Sequence, residues 1–133
     1  MKTPIRHPQE IEVFYLIPAV RKEFAVQLKK QGKEQREIAK LLGVTEAAIS
    51  QYLNEKRATE IKLDRIIISK IKKSTKKVKS PIDIVGEIQE ILAFIRQTRL
   101  ICKYHHRFMK GIPKDCYVCF GYVKSRINKD RQK

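Results

Sequence analysis

Five soft donors crowd one stretch of this chain, LICKYHHRFMKGIPKDCYVCFGYV at 100–123. It holds all three cysteines, Cys102, Cys116 and Cys119, and two of the three histidines, His105 and His106. Cys102-x2-His105 followed by Cys116-x2-Cys119 is the spacing of a metal site. A C-x2-C pair brings two thiolates to one metal, and a turn around Gly111 and Pro113 folds the second pair back on the first. With His105 or His106, the set makes a closed Cys3His zinc site that stabilises a module with little core of its own. The three cysteines without an imidazole suit an iron–sulfur cluster, 3Fe-4S or 4Fe-4S, with one iron open or held by another ligand. Both readings stand at this point, with a lean to the cluster because the thiols are concentrated here. Tyr104, Phe108, Ile112, Tyr117, Val118 and Phe120 are the candidates to shield either site. His7 lies far off in sequence and is left out of the ligand set. The plainer alternative is that the thiols are small core residues.

Composition bounds the partner. In 133 residues, Lys and Arg outnumber Asp and Glu by 30 to 14, a net charge of +16. That excess suits a polyanion, most simply double-stranded DNA, through phosphate neutralisation and counterion release. A basic ribosome-associated or RNA-binding protein has the same balance. Hydrophobic content of 42% is enough for a core. No run of about eighteen apolar residues and no signal peptide is present, so a cytoplasmic chain with no membrane partner is expected. In a reducing compartment, three cysteines are not a disulfide framework.

The elements that must position these groups are read from the apolar spacing. The organising stretch is Gln35–Leu53, QREIAKLLGVTEAAISQYL. Ile38, Ala39, Leu41 and Leu42 stripe one helix. Gly43 supplies the backbone that a tight turn needs, and Val44 turns inward. Thr45 is an N-cap. Ala48, Ile49, Tyr52 and Leu53 form the buried face of a second helix, about 45–54. Glu46, Ala47, Ser50, Gln51 and Asn54 are left outward, short or amide side chains suited to base edges. This is the spacing of a helix-turn-helix whose second helix enters the major groove.

Residues 34–57, EQREIAKLLGVTEAAISQYLNEKR, resemble the Xre/Cro-like helix-turn-helix of transcriptional repressors. With the preceding LIPAVRKEFAVQLKKQG, the likeness is closer to archaeal predicted regulators of that class, over roughly residues 10–75. The resemblance implies a lambda-repressor-like domain in which Gln35 touches a phosphate and braces the recognition helix. It places Glu46, Ala47 and Ser50 against base edges, with Thr45 at the helix entry and Gln51 at the rim. Asn54, Lys56 and Arg57 fall on its backbone-contacting loop. Glu46 and Ala47 depart from the Gln or Ser often found there. A carboxylate can accept from cytosine N4 and a methyl can meet a thymine methyl; alternatively Glu46 favours the helix N-terminus. Lys30 and Lys33 are further phosphate candidates.

Around this unit, Pro8 opens a short helix carrying Ile11, Phe14 and Tyr15, with a strand over Ile11–Ile17 as the competing reading. Residues 18–31, with Val20, Phe24, Ala25 and Leu28 at helical spacing, form the domain's first helix, ended by Gly32. Residues 60–73 predict an amphipathic helix that buries Leu63, Ile66, Ile67 and Ile71. The lysine-rich KKSTKKVKS at 72–80 marks a boundary between a DNA-binding domain, 1–75, and a C-terminal module, 76–133. Ser80, Pro81 and Asp83 start another helix as a capping box. Its apolar face includes Ile82, Ile84, Val85, Ile88, Ile91, Leu92 and Ile95. It is either the core of a C-terminal module or a homodimer contact; the second is favoured, because such repressors bind two-fold related half-sites. The basic 124–133 tail adds nonspecific affinity for DNA. The expectation is a mainly α transcriptional regulator: a helix-turn-helix domain, then a C-terminal helix and a metal-binding segment. An enzyme is not expected, since no phosphate-cradling glycine loop or nucleophile constellation is present. Cys116-x2-Cys119 lacks the βαβ context of a thiol-redox motif.

Overall fold

A computed structural model describes residues 7–116, 118 and 119. Its elements are helical: α1 (Pro8–Ile11), a π-helical segment (Glu12–Leu16), α2 (Ile17–Lys30), α3 (Gln35–Leu42), α4 (Glu46–Leu53), α5 (Arg65–Thr75), α6 (Pro81–Gln97) and α7 (Leu100–Phe108). Tyr117, Phe120 and the basic tail lie outside the described residues.

Pro8 takes the first position of α1, where its missing N–H costs nothing. The chain then stays helical through the π segment into α2, so the competing strand over Ile11–Ile17 is not formed. Ile11 and Leu16 are buried there, while Phe14 is exposed and Tyr15 half-buried. A strand would have thrown Ile11 and Leu16 to opposite faces. Gly32 ends α2 with φ +94°, and Gly43 ends α3 with φ +65°. Beyond Gly43, the Val44 N–H donates to the Ala39 carbonyl at 3.1 Å, which closes a Schellman-type cap.

Helix α5 begins at Arg65, five residues later than the spacing predicts, because Asp64 adopts the extended conformation of an N-cap. Ile61 and Leu63 are nonetheless buried from the extended approach. Ile67 and Ile71 face the core as expected, but Ile66 is exposed. Ser74, Thr75 and Val78 are buried, so the lysine-rich stretch expected to separate two halves is packed at these positions. The Thr75 hydroxyl accepts from Gln31 Nε2 at 2.6 Å, and the Ser74 hydroxyl donates to Glu87 at 2.8 Å.

Helix α6 starts as the sequence predicts. The Ser80 hydroxyl accepts the Asp83 N–H, and Asp83 accepts the N–H groups of Lys79 (2.9 Å) and Ser80 (3.1 Å). The Lys79 amide, then the Ser80 side chain, hold the Asp83 carboxyl below the usual carboxylate range. Along α6, Ile84, Ile88, Ile91, Leu92 and Ile95 join the same buried cluster as Phe24, Ile38 and Ile49. Most of the face assigned to a dimer contact is therefore used inside the chain, against α3, α5 and α7. Ile82 and Val85 turn outward, 72% and 52% exposed.

Candidate nucleic-acid interface and metal centre

Helix α4 stands on Ala48, Ile49 and Tyr52, all buried against the helices beneath it. Thr45 caps it, accepting the Ala48 N–H at 3.0 Å on its hydroxyl. The cap is thus the threonine, and Glu46 lies exposed in the first turn. Ala47, Gln51 and Asn54 are exposed and Ser50 half-buried, so the expected reading residues share the outward side of one short helix. Lys56 and Arg57 follow, both exposed. The Arg57 guanidinium lies 5.7 Å from the centre of the Tyr52 ring, and its Nη1 is 3.5 Å from Gln51 Oε1. A cation placed over an aromatic face is steered rather than free. Gln35 is the first residue of α3 and is half-buried. Lys30 is exposed and Lys33 half-buried nearby in sequence.

At α4's C-terminal end, Glu55 takes the left-handed conformation, φ 56°. This lets the Lys56 N–H reach the Gln51 carbonyl at 2.8 Å. Sequence reading missed this position, since glycine is the usual signal for such a cap.

Residues 27–67 match the family model described as Helix-turn-helix. These residues therefore form a helix-turn-helix domain of the Xre/lambda-repressor-like class, a class of DNA-binding regulatory domains. The match spans the end of α2, all of α3 and α4, and the start of α5. No curated protein and no solved structure matches the chain. No helix among the described residues is long and apolar enough to cross a membrane.

The second site lies at the other end of the sequence. Helix α7 carries Cys102, His105 and His106 at i, i+3 and i+4, which places them on one side of the helix. Gly111, with φ +86°, starts the return that brings Cys116 back. Arg99 anchors that return: its Nη2 donates to the Cys116 carbonyl at 3.0 Å. Arg99 itself takes a left-handed conformation, φ 64°, at the joint between α6 and α7.

Cys102, Cys116, Cys119, His105 and His106 all line one cavity of about 890 Å³. The fold adds a residue that sequence distance had excluded: His7 lines the same cavity, as do Glu10 and Glu12. Nothing in the local sequence pointed to this, because it follows from α1 packing against α7. Cys102 and Cys116 are half-buried and Cys119 exposed, and none forms a disulfide. Partial burial pushes the Cys119 thiol up, and the charges of Cys102 and Cys116 push it further, so the three sulfurs lie within electrostatic reach of one another. Among the described residues, no group of three His, Cys, Asp or Glu side chains is placed to hold a metal ion.

Of the expected shielding residues, Ile112 and Val118 line the cavity. Phe108 instead stacks on Tyr15, with centroids 4.5 Å apart. Tyr104 is fully buried; its hydroxyl accepts the Asp64 N–H and donates to Asp64 Oδ1, both at 3.2 Å. Burial, reinforced by the Asp64 charge, raises the Tyr104 phenol to about 12. Lys103 adds an ion pair to Asp64 Oδ2 at 2.9 Å. This end of the chain is thereby tied to the start of α5.

Proposed function

We propose that the chain is a homodimeric, sequence-specific regulator of transcription whose hold on its operator is governed by a group bound in the cysteine cavity. The observation that carries the DNA reading is the capped α4, with Glu46, Ala47, Ser50 and Gln51 on its outward side and Arg57 steered beside them. A buried apolar base fixes where these side chains point, and base readout needs that rigidity. Lysines and arginines supply the sequence-independent part of the affinity.

Two-fold operators call for two copies of the chain. Ile82 and Val85 are the part of α6 left to meet a partner. For the bound group, the donor set suits an iron–sulfur cluster on Cys102, Cys116 and Cys119, or a zinc ion that also takes His105. The concentration of all three thiols on this one cavity favours the cluster. A cluster would supply a charge that changes with redox state, next to helices packed on the DNA-binding domain.

Anaerobic purification with metal and sulfide analysis separates the two groups. Iron with acid-labile sulfide supports the cluster, and one zinc per chain supports the structural ion. Selection of binding sites from random duplex DNA tests the readout. A defined motif is expected, blurred at one position by Gln51→Ala or Ser50→Ala. Tight RNA binding with no preferred DNA sequence would instead make this a structural-zinc RNA-binding protein.

A further inference from the structure

Helices α2 and α5 end side by side. The Gln31 amide, just past α2, donates to the Thr75 hydroxyl at 2.6 Å, and that hydroxyl donates to the Lys72 carbonyl at 2.7 Å. Ser74, Thr75 and Val78 are buried, so the end of α5 is packed in place. Around this joint stand Lys29, Lys30 and Lys33 from the α2 side and Lys72 and Lys76 from the α5 side. All are exposed except the half-buried Lys33. Among the described residues, none of the five forms an ion pair.

These lysines exceed what the fold needs. A helix C-terminus carries about half a negative charge, so two ends call for about one positive charge. The exposed Glu34 beside Lys33 calls for one more. Five lysines therefore leave an excess of about three positive charges. The two sides of α5 also differ. Toward α6, the Ser74 hydroxyl donates to Glu87 at 2.8 Å and Lys70 lies over the Phe94 ring at 4.3 Å. Lys70, Lys73 and Lys77 share a groove there with Glu87 and Glu90. Thr75 turns the other way, to Gln31. At about 100° per residue, Lys72 and Lys76 lie about 60° and about 100° further round from Thr75, away from α6.

Gln31 at the joint is four residues before Gln35, the start of α3, so at most about 14 Å of chain separates them. One strand of duplex DNA carries a phosphate about every 3.4 Å of axis. With α4 in the major groove and Gln35 against the backbone, nearby phosphates of the same strand come within reach of the lysines at the joint. We infer that this joint is a phosphate clamp: Lys33, Lys72 and Lys76 hold the DNA backbone beyond the Gln35 contact. Lys72 and Lys76 fall outside residues 27–67, so the end of α5 extends the footprint past the helix-turn-helix domain. This rests on the reading of α4 as the DNA-reading helix.

The salt dependence of binding, measured on the best duplex that the full chain recovers from a random pool, tests the inference. Each phosphate contact adds about 0.9 to the slope of log affinity against log salt. Lys72→Gln combined with Lys76→Gln should lower that slope by about 1.8 and weaken binding by about tenfold or more at about 0.1 M salt, with the recovered motif unchanged. Lys70→Gln combined with Lys77→Gln removes the same charge from the α6 side and should change the slope by less than about 0.5. All four positions are exposed and glutamine keeps the helix propensity of lysine, so both variants should retain the helix content of the unaltered chain. Ethylation of duplex phosphates should interfere with the unaltered chain at one or more positions that no longer matter to the Lys72 and Lys76 variant. An unchanged slope in that variant, or an equal drop in the Lys70 and Lys77 variant, overturns the clamp and leaves DNA reading by α4 standing. A random pool from which the unaltered chain recovers no motif, whether or not it binds RNA, overturns that reading and the inference together.

Discussion

Helix α4 rests on three buried side chains, Ala48, Ile49 and Tyr52, whereas the thiols near α7 are half-buried or exposed and reach their cavity from a helix and a returning loop. The reading side chains of α4 are placed by packing. The donors of the cavity are placed by a few polar ties: Arg99 to the Cys116 carbonyl, Tyr104 and Lys103 to Asp64, and Arg96 to Glu12. Close packing holds geometry against small perturbations, because every displacement loses many contacts. Single hydrogen bonds yield one at a time. A surface that must present one fixed shape to DNA suits the first arrangement. A wall that can shift a little at a time suits the second.

The largest effect should come from the packed side. Ile49→Ala opens a cavity under α4 and should cost about 2–5 kcal/mol in urea unfolding, with loss of operator binding at temperatures where the domain loosens. A loss below about 1 kcal/mol would mean that α4 is not held as described.

Next is Arg96→Ala, which strands the buried Glu12 carboxylate. It should cost about 1–3 kcal/mol while leaving DNA sequence preference intact. A shifted preference would show that the N-terminal helix sets the reading frame of α4 rather than only its stability.

Tyr104→Phe tests the polar ties through pH. The folded phenol ionises near 12 and the unfolded one near 10. Its contribution is present below pH 10 and is lost as pH rises from about 10 to about 12, by of order 2 kcal/mol. The unaltered chain should lose stability over that window relative to Tyr104→Phe, as followed by helix content at increasing pH. Parallel curves would remove the burial argument.

The smallest effect is a gain. Glu55 bears a left-handed penalty of about 1–2 kcal/mol, while glycine loses about 0.5–1 kcal/mol in chain entropy. Glu55→Gly should therefore stabilise by about 0.5 kcal/mol, read as a small upward shift of the thermal midpoint.

Reading from sequence succeeded where local spacing decides structure. Gly43, Thr45 and the Ser80–Pro81–Asp83 start all behave as their types dictate, because a cap is made by residues within a few positions of one another. It failed where partners are distant. Asp64 delays α5, and its carboxylate goes to Tyr104 and Lys103, about forty positions on. Ile66, Ile82 and Val85 fit the apolar period of their helices yet face outward, because those helices bury a narrower stripe than their sequences offer. The three cysteines, close in sequence, line one cavity. His7 could not be read as part of it, since its place in the cavity exists only once α1 meets α7.

The π-helical segment Glu12–Leu16 has a consequence in phase rather than in contacts. A π turn inserts one residue more than an α turn, and each residue of an α-helix advances the chain by about 100°. The wider turn absorbs that extra residue, so five residues here turn the chain about as far as four would in a regular helix. Removing one residue, with the segment reverting to α, would leave His7–Ile11 and the side chains of α2 facing as they do. Removing two would not be absorbed, and would swing the N-terminal turn by about 100° away from α7.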